Sequence, residues 1–211
     1  MNKSKILIVI PVFTALLLSA FSGCQSGQTP ASPLTKLTLA DYSKLMDVSS
    51  VLPKSFGQID ASVLGLSNKQ IGLGDKWSEV ETFVSKDPFQ ILYCAYNIVD
   101  NPAGRVQADA TLKDEAPIKV EIQSGIMQAA TSAGLKQTPI NVKMSSPKIG
   151  DQALLGEGVM QTEAGNFGCD ILQFNVNNVY FMVVSVYNPT RLVETPKVAG
   201  AIIEKLKGYS Q

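Results

Sequence analysis

Along most of this chain the apolar residues recur either three to four positions apart or at every second position, and the change from one spacing to the other divides it into elements. Leu39, Tyr42, Leu45 and Met46 stand at helical spacing behind Thr38-Leu39-Ala40-Asp41, a capping-box pattern with Asp in place of Glu, so a helix is expected near 39–50. Pro53 closes it, and residues 57–75, with Gly65, Gly72 and Gly74, are turn-rich and predict no regular element. From Trp77 to Val84 (WSEVETFV) apolar and polar residues alternate as in a half-buried strand. Asp87-Pro88 marks a turn, and Phe89 to Val99 (FQILYCAYNIV) predicts a second strand paired with the first as a hairpin.

Asn101 to Gly104 read as a further turn, and Val106 to Asp114 carry only a weak helical pattern. Ile118, Ile122, Ile126, Met127 and Ala130 then form one stripe between Pro117 and Gly134, which places a long helix near 116–133. Strands follow at Ile140–Met144, Gln152–Gln161, Cys169–Val176 and Val179–Tyr187. Between the last two, Asn177-Asn178 has the two-residue form of a hairpin turn, because Asn tolerates the positive φ such turns require. The strand from Val179 is apolar almost without alternation, so both of its faces should be covered by helices. Thr195-Pro196, the stripe Val198, Ile202 and Leu206, and Gly208 predict a closing helix at 196–207. This order gives an α+β domain, a mainly antiparallel sheet with helices packed on it.

The same order, with Ile149-Gly150-Asp151-Gln152-Ala153 ahead of one strand and the apolar strand from Val179 ahead of the last helix, resembles the PsbP/Mog1-type domains and related bacterial sensor and lipoprotein domains. The resemblance spans most of residues 38–208 and implies an α/β/α sandwich with a binding or scaffolding role. That role is an analogy of fold.

The N-terminus follows a different pattern. Asn2-Lys3-Ser4-Lys5 is positive, and Ile6 to Ala20 is an uncharged, mostly apolar run interrupted by Pro11. It is short against the ~20 residues of a membrane span and fits the ~7–15-residue core of an export signal. Phe21-Ser22-Gly23-Cys24 resembles the lipobox of bacterial lipoproteins, with Phe21 where Leu is usual. The resemblance implies a signal peptide at 1–23, cleavage ahead of Cys24, and acyl chains on that cysteine, each buried CH₂ adding ~0.8 kcal/mol of membrane affinity. Residues 24–37, rich in Gln, Ser, Gly and Pro, are expected to be a flexible tether, with a single domain at 38–211. The implied partner is the membrane, through the N-terminal lipid.

Composition narrows the chemistry. Lys+Arg and Asp+Glu both number 18, and no basic run stands out, so the electrostatic footprint of a nucleic-acid binder is missing. With no histidine, Ser-His and Cys-His nucleophiles and His-ligated zinc are excluded. With Cys24 acylated, Cys94 and Cys169 remain, 75 positions apart: either a bridge, which would contribute roughly 4 kcal/mol, or two separate buried thiols. Asp151, Glu157, Glu163 and Asp170 could meet at one end of the sheet as cation ligands or as a hydrolase's carboxylate pair, or stand apart as solvated strand ends. The pairs Gly72/Gly74 and Gly156/Gly158 lack a phosphate-binding context and read as turns or bulges, and Ser145-Ser146-Pro147-Lys148 as an accidental S-x-x-K. Trp77, Phe89, Tyr93 and Tyr96 could line a ligand or partner surface, or pack the core; Met127 and Met182 read as core.

No catalytic constellation emerges and no cofactor is implied. The expected role is that of a non-enzymatic, lipid-anchored binding or accessory protein on the outer face of the membrane, its protein or small-molecule ligand unspecified. A carboxylate-dependent extracytoplasmic hydrolase and a carrier of an apolar ligand are the alternatives.

Overall fold

The structure is a computed structural model that describes residues 37, 39–60, 81–99, 101–132, 138–163 and 165–209. The expected signal peptide, Cys24, most of the tether, Trp77 and most of the turn-rich stretch lie outside the described residues. The elements are α1 (Leu39–Met46), a 3-10 turn (Ser49–Val51), β1 (Phe56–Ile59), β2 (Glu81–Lys86), β3 (Phe89–Ile98), α2 (Pro102–Thr111), α3 (Glu115–Ser132), β4 (Asn141–Ser145), β5 (Gln152–Thr162), β6 (Gly165–Val176), β7 (Val179–Asn188) and α4 (Thr195–Lys207).

The strands form one sheet in the order β1-β2-β3-β7-β6-β5-β4, antiparallel at every neighbouring pair. After β3 the two consecutive helices carry the chain to the far edge, and the β4–β7 meander walks back until β7 closes against β3. The fold is α+β, as the element order predicts. Asn177 adopts φ 56° in the β6–β7 turn, the left-handed conformation expected of it.

β7 lies in the middle and is covered on both faces. On one face Met182 and Val184 join Ile118, Ile122 and Ile126 of α3; on the other Val179, Phe181 and Val183 meet α1 and α4 through Tyr42, Val198 and Ile202. Tyr42 stacks on Tyr96 with ring centroids 4.0 Å apart, and Phe174 on Phe181 at 5.0 Å. Lys205 of α4 donates to the carbonyls of Lys44 and Asp47, satisfying free acceptors at the C-terminal end of α1 and joining the two helices.

Gly156 and Gly158 are not turn or bulge residues. They lie within β5, in register with Ile171 and Cys169, and form the groove into which α3 settles. A Cβ at Gly156 would stand 2.6 Å from Ile122 Cδ1, and one at Gly158 only 2.1 Å from Ile122 Cγ2. Gly158→Ala is therefore expected to destabilise the protein by about 1–3 kcal/mol, the usual cost of overpacking, with urea unfolding as the check.

Several boundaries differ from expectation. α1 ends at Met46, and β1 occupies the start of the segment expected to be irregular. α2 begins at Pro102, inside the expected turn, because Asn101 Oδ1 accepts from the Gly104 amide at 2.5 Å and Pro102 needs no partner in the first turn. Met127 is 43% exposed, on the outer side of α3 with Val120, whereas Met182 is core.

Candidate functional site

Of the four acids between positions 151 and 170, the fold brings two together. Glu157 and Asp170 are direct cross-strand partners on β5 and β6, with side chains on the α1/α4 face. Asp151 precedes β5, some six residues and ~20 Å of strand from Glu157, and its carboxylate accepts from the Asn177 amide at 2.6 Å. Glu163 lies past the other end of β5. The four do not share a site. Among the described residues, no three His, Cys, Asp or Glu side chains gather as metal ligands would.

Arg191 ties the adjacent pair. Its Nη1 donates to Glu157 Oε1 at 2.6 Å and to Asp170 Oδ2 at 2.8 Å. Arg191 and Glu157 lie at the margin, with side chains 27% and 24% exposed, while the Asp170 side chain is sealed at 0%. The guanidinium also sits over the Tyr187 ring, 5.7 Å from its centroid. Beneath that ring lies Gly168, where a Cβ would be 2.1 Å from Tyr187 Cζ. Burial pushes the Asp170 carboxyl up to about 6, against the opposing pull of Arg191, and its Oδ1 is buried without a hydrogen-bond partner.

Gln90 completes the cluster. Fully buried on β3, it donates from Nε2 to Ser185 Oγ at 2.7 Å and to the Val193 carbonyl at 2.8 Å, and its Oε1 accepts from the Leu192 and Val193 amides at 2.7 and 3.0 Å. One side chain thus satisfies three backbone groups of residues 192–193 in the connection from β7 to α4. The arrangement can hold a loop and partition charge. Its carboxylates are engaged with an arginine, so a free general base is not what it offers.

A concavity lies elsewhere. A pocket of about 470 Å³ opens between the α2–α3 connection and the β4–β5 loop, lined by Leu112, Lys113, Pro147, Lys148, Ile149 and Asp151 among others. Two ammonium groups, one carboxylate and a few apolar side chains suit it to a small polar or anionic ligand better than to an apolar one. Lys148, from the discounted S-x-x-K string, is on its wall.

The described aromatic candidates do not form one surface. Tyr93 faces the α3 layer and Tyr96 the α1/α4 layer, because they stand an odd number of positions apart on β3. Both are buried core residues, and Phe89 pairs with Asn188 at the strand's start, half-buried. Of the two readings left open for the cysteines, the structure has the separate buried thiols: Cys94 and Cys169 are both free. Cys94 is in register with Val183 and Cys169 with Val186, three positions along β7 and hence on opposite faces. With β7 between them, two strand spacings of ~4.8 Å separate the thiols' strands, beyond the ~4.4–6.8 Å a disulfide allows. Burial pushes the Cys94 thiol up to about 12 and raises Cys169 well above its ordinary value, so both are inert.

Glu121 is a further buried acid, little announced by its place in the sequence. It lies on α3, 8% exposed, with Oε1 buried and unpartnered, and burial pushes its carboxyl up to about 7. The trace in the sequence was an acid between Ile118 and Ile122, one position off the apolar stripe. Gln90 and Ser185 had left a similar trace as polar interruptions of apolar strands.

No helix among the described residues is long and apolar enough to cross a membrane. Compared with known proteins, the chain matches no family model, no curated protein and no solved structure.

Proposed function

We propose that the chain is an envelope lipoprotein, cleaved ahead of Cys24, acylated there, and held by its lipid at the outer side of a bacterial-type membrane as a non-enzymatic binding or accessory protein. Arg191 is the observation that carries the non-enzymatic part. It engages both members of the adjacent carboxylate pair, and the third acid of the hydrolase alternative, Asp151, lies far along β5. An apolar carrier is disfavoured by packing: α3 sits so close to β5 that a single Cβ at Gly156 or Gly158 would collide with Ile122. The pocket beside Lys113 and Lys148 is the concavity we assign to ligand binding. Helices on both faces of an antiparallel sheet support the PsbP/Mog1-type likeness as part of the same proposal.

The anchoring is tested in the native host. Wild-type protein should fractionate with membranes, shift to the unprocessed precursor under globomycin, and yield an acylated N-terminal peptide beginning at Cys24. Cys24→Ala should abolish both acylation and processing ahead of residue 24. A native wild-type protein that is unacylated and recovered entirely in the soluble fraction would overturn the reading.

A further inference from the structure

The connection between β7 and α4, residues 189–194, is fastened to the sheet at two points of different chemistry. Toward α4 the fastener is Gln90, an amide that binds the Leu192 and Val193 backbone and does not titrate. Toward β7 it is Arg191, which reaches one sealed carboxylate, Asp170, and one at the solvent margin, Glu157. Asp170 is faced by Glu157 from β5, Ser185 and Tyr187 from β7, and Arg191 and Glu194 from the connection itself. Three acids therefore share one nearby base, and the most deeply buried of them leaves Oδ1 without a partner.

We propose that residues 189–191 form a proton-operated latch: when Asp170 takes up a proton, Arg191 loses its inner ion pair and follows Glu157 toward solvent, while Gln90 keeps 192–193 in place. The geometry favours this division. Protonation removes the charge that costs most to bury and leaves Arg191 one partner, the half-buried Glu157 at the solvent margin. The same step relieves the desolvation that pushes Asp170 up to about 6, so it falls within the mildly acidic range an envelope protein meets. The proposal rests on the site's geometry and holds wherever the chain resides.

The test uses the full folded protein and NMR. The Asp170 carboxyl carbon is titrated directly, and hydrogen exchange of the Arg191 guanidinium and of the Leu192 and Val193 amides, corrected for intrinsic rate, is measured at about pH 7.5 and about pH 5. The expected result is an Asp170 midpoint near 6, with protection of the Arg191 guanidinium falling about tenfold on acidification and amide protection at 192–193 unchanged. Asp170→Asn should show the unlatched exchange at both pH values, and Glu157→Gln should retain the pH response. Equal protection of the Arg191 guanidinium at both pH values in the wild-type protein would overturn the latch, as would an Asp170 that titrates as an ordinary carboxylate. Both wild-type readings stand even if a variant fails to fold.

Discussion

Replacing Arg191 by alanine is expected to destabilise the protein by about 3–5 kcal/mol at about pH 7.5, the cost of stripping a buried charge of its partner. The magnitude comes less from the attraction lost than from what is left behind. Asp170 has no access to water, its Oδ1 is already without a partner, and its cross-strand neighbour Glu157 carries the same charge. With the guanidinium gone, those two carboxylates face each other across a strand spacing, and like charges so placed destabilise a sheet. Asp170 can escape by taking up a proton, so the penalty should shrink markedly at about pH 5, below the value near 6 at which it titrates beside Arg191. Asp170→Asn added to Arg191→Ala should recover most of the loss, since the orphaned charge is then absent. Urea unfolding of the single and double variants at both pH values checks this. A loss under ~1 kcal/mol for Arg191→Ala at the higher pH would mean the pair behaves as a surface salt bridge.

The fold was legible where local chemistry and tertiary packing agree. The Asn177-Asn178 turn and the doubly covered β7 combine a periodic apolar pattern with a turn that has one physical reading, and the closing helix follows its apolar stripe, although it starts at Thr195 behind Glu194 with no side-chain cap, not behind Thr195 as expected. The misses share a cause: their signals are completed only by distant residues. β1 is four residues long, with burial that does not alternate, and becomes a strand because β2 lends it an edge to pair with. α2 has little apolar stripe, Val106 being exposed, and rests on its Asn101 cap and on Ala108 and Leu112 packing against Tyr180. Gly156 and Gly158 read as breakers because the helix they accommodate comes from another part of the chain.

The polar cluster was half legible for the same reason. Glu157 and Asp170 could be singled out as acids, but their adjacency is a matter of register between β5 and β6, and a slip of one residue would have sent Asp170 to the α3 face. Arg191 was invisible as a participant, since nothing in Asn-Pro-Thr-Arg-Leu-Val-Glu says which way its side chain turns. The two cysteines show the same dependence: their even count leaves a bridge and two buried thiols equally open, and strand parity, which needs the register, decides for the thiols.

Glu121→Gln is expected to stabilise the protein on the order of 3 kcal/mol at about pH 8, and the gain should shrink as the pH falls and vanish below about 4.5. The folded carboxyl titrates at about 7 and an unfolded one near 4.5, because burial in the α3 layer opposes its charge. Between those values the folded chain holds the proton more tightly, so this group's contribution to stability falls as pH rises through the window and is fully unfavourable above it. Asp170 acts in the same direction between about 3.8 and 6, despite Arg191. The two together predict a wild-type protein more stable at about pH 5 than at about pH 7.5, contrary to chains whose buried acids are held ionised. Glu121→Gln should flatten most of that slope. Glu121→Met, which also removes the unpartnered oxygen, should stabilise at every pH. Urea unfolding midpoints from about pH 4.5 to about pH 8 measure both effects. A wild-type curve that rises toward pH 8, with Glu121→Gln no more stable there, would show that Glu121 is ionised and satisfied in the folded protein.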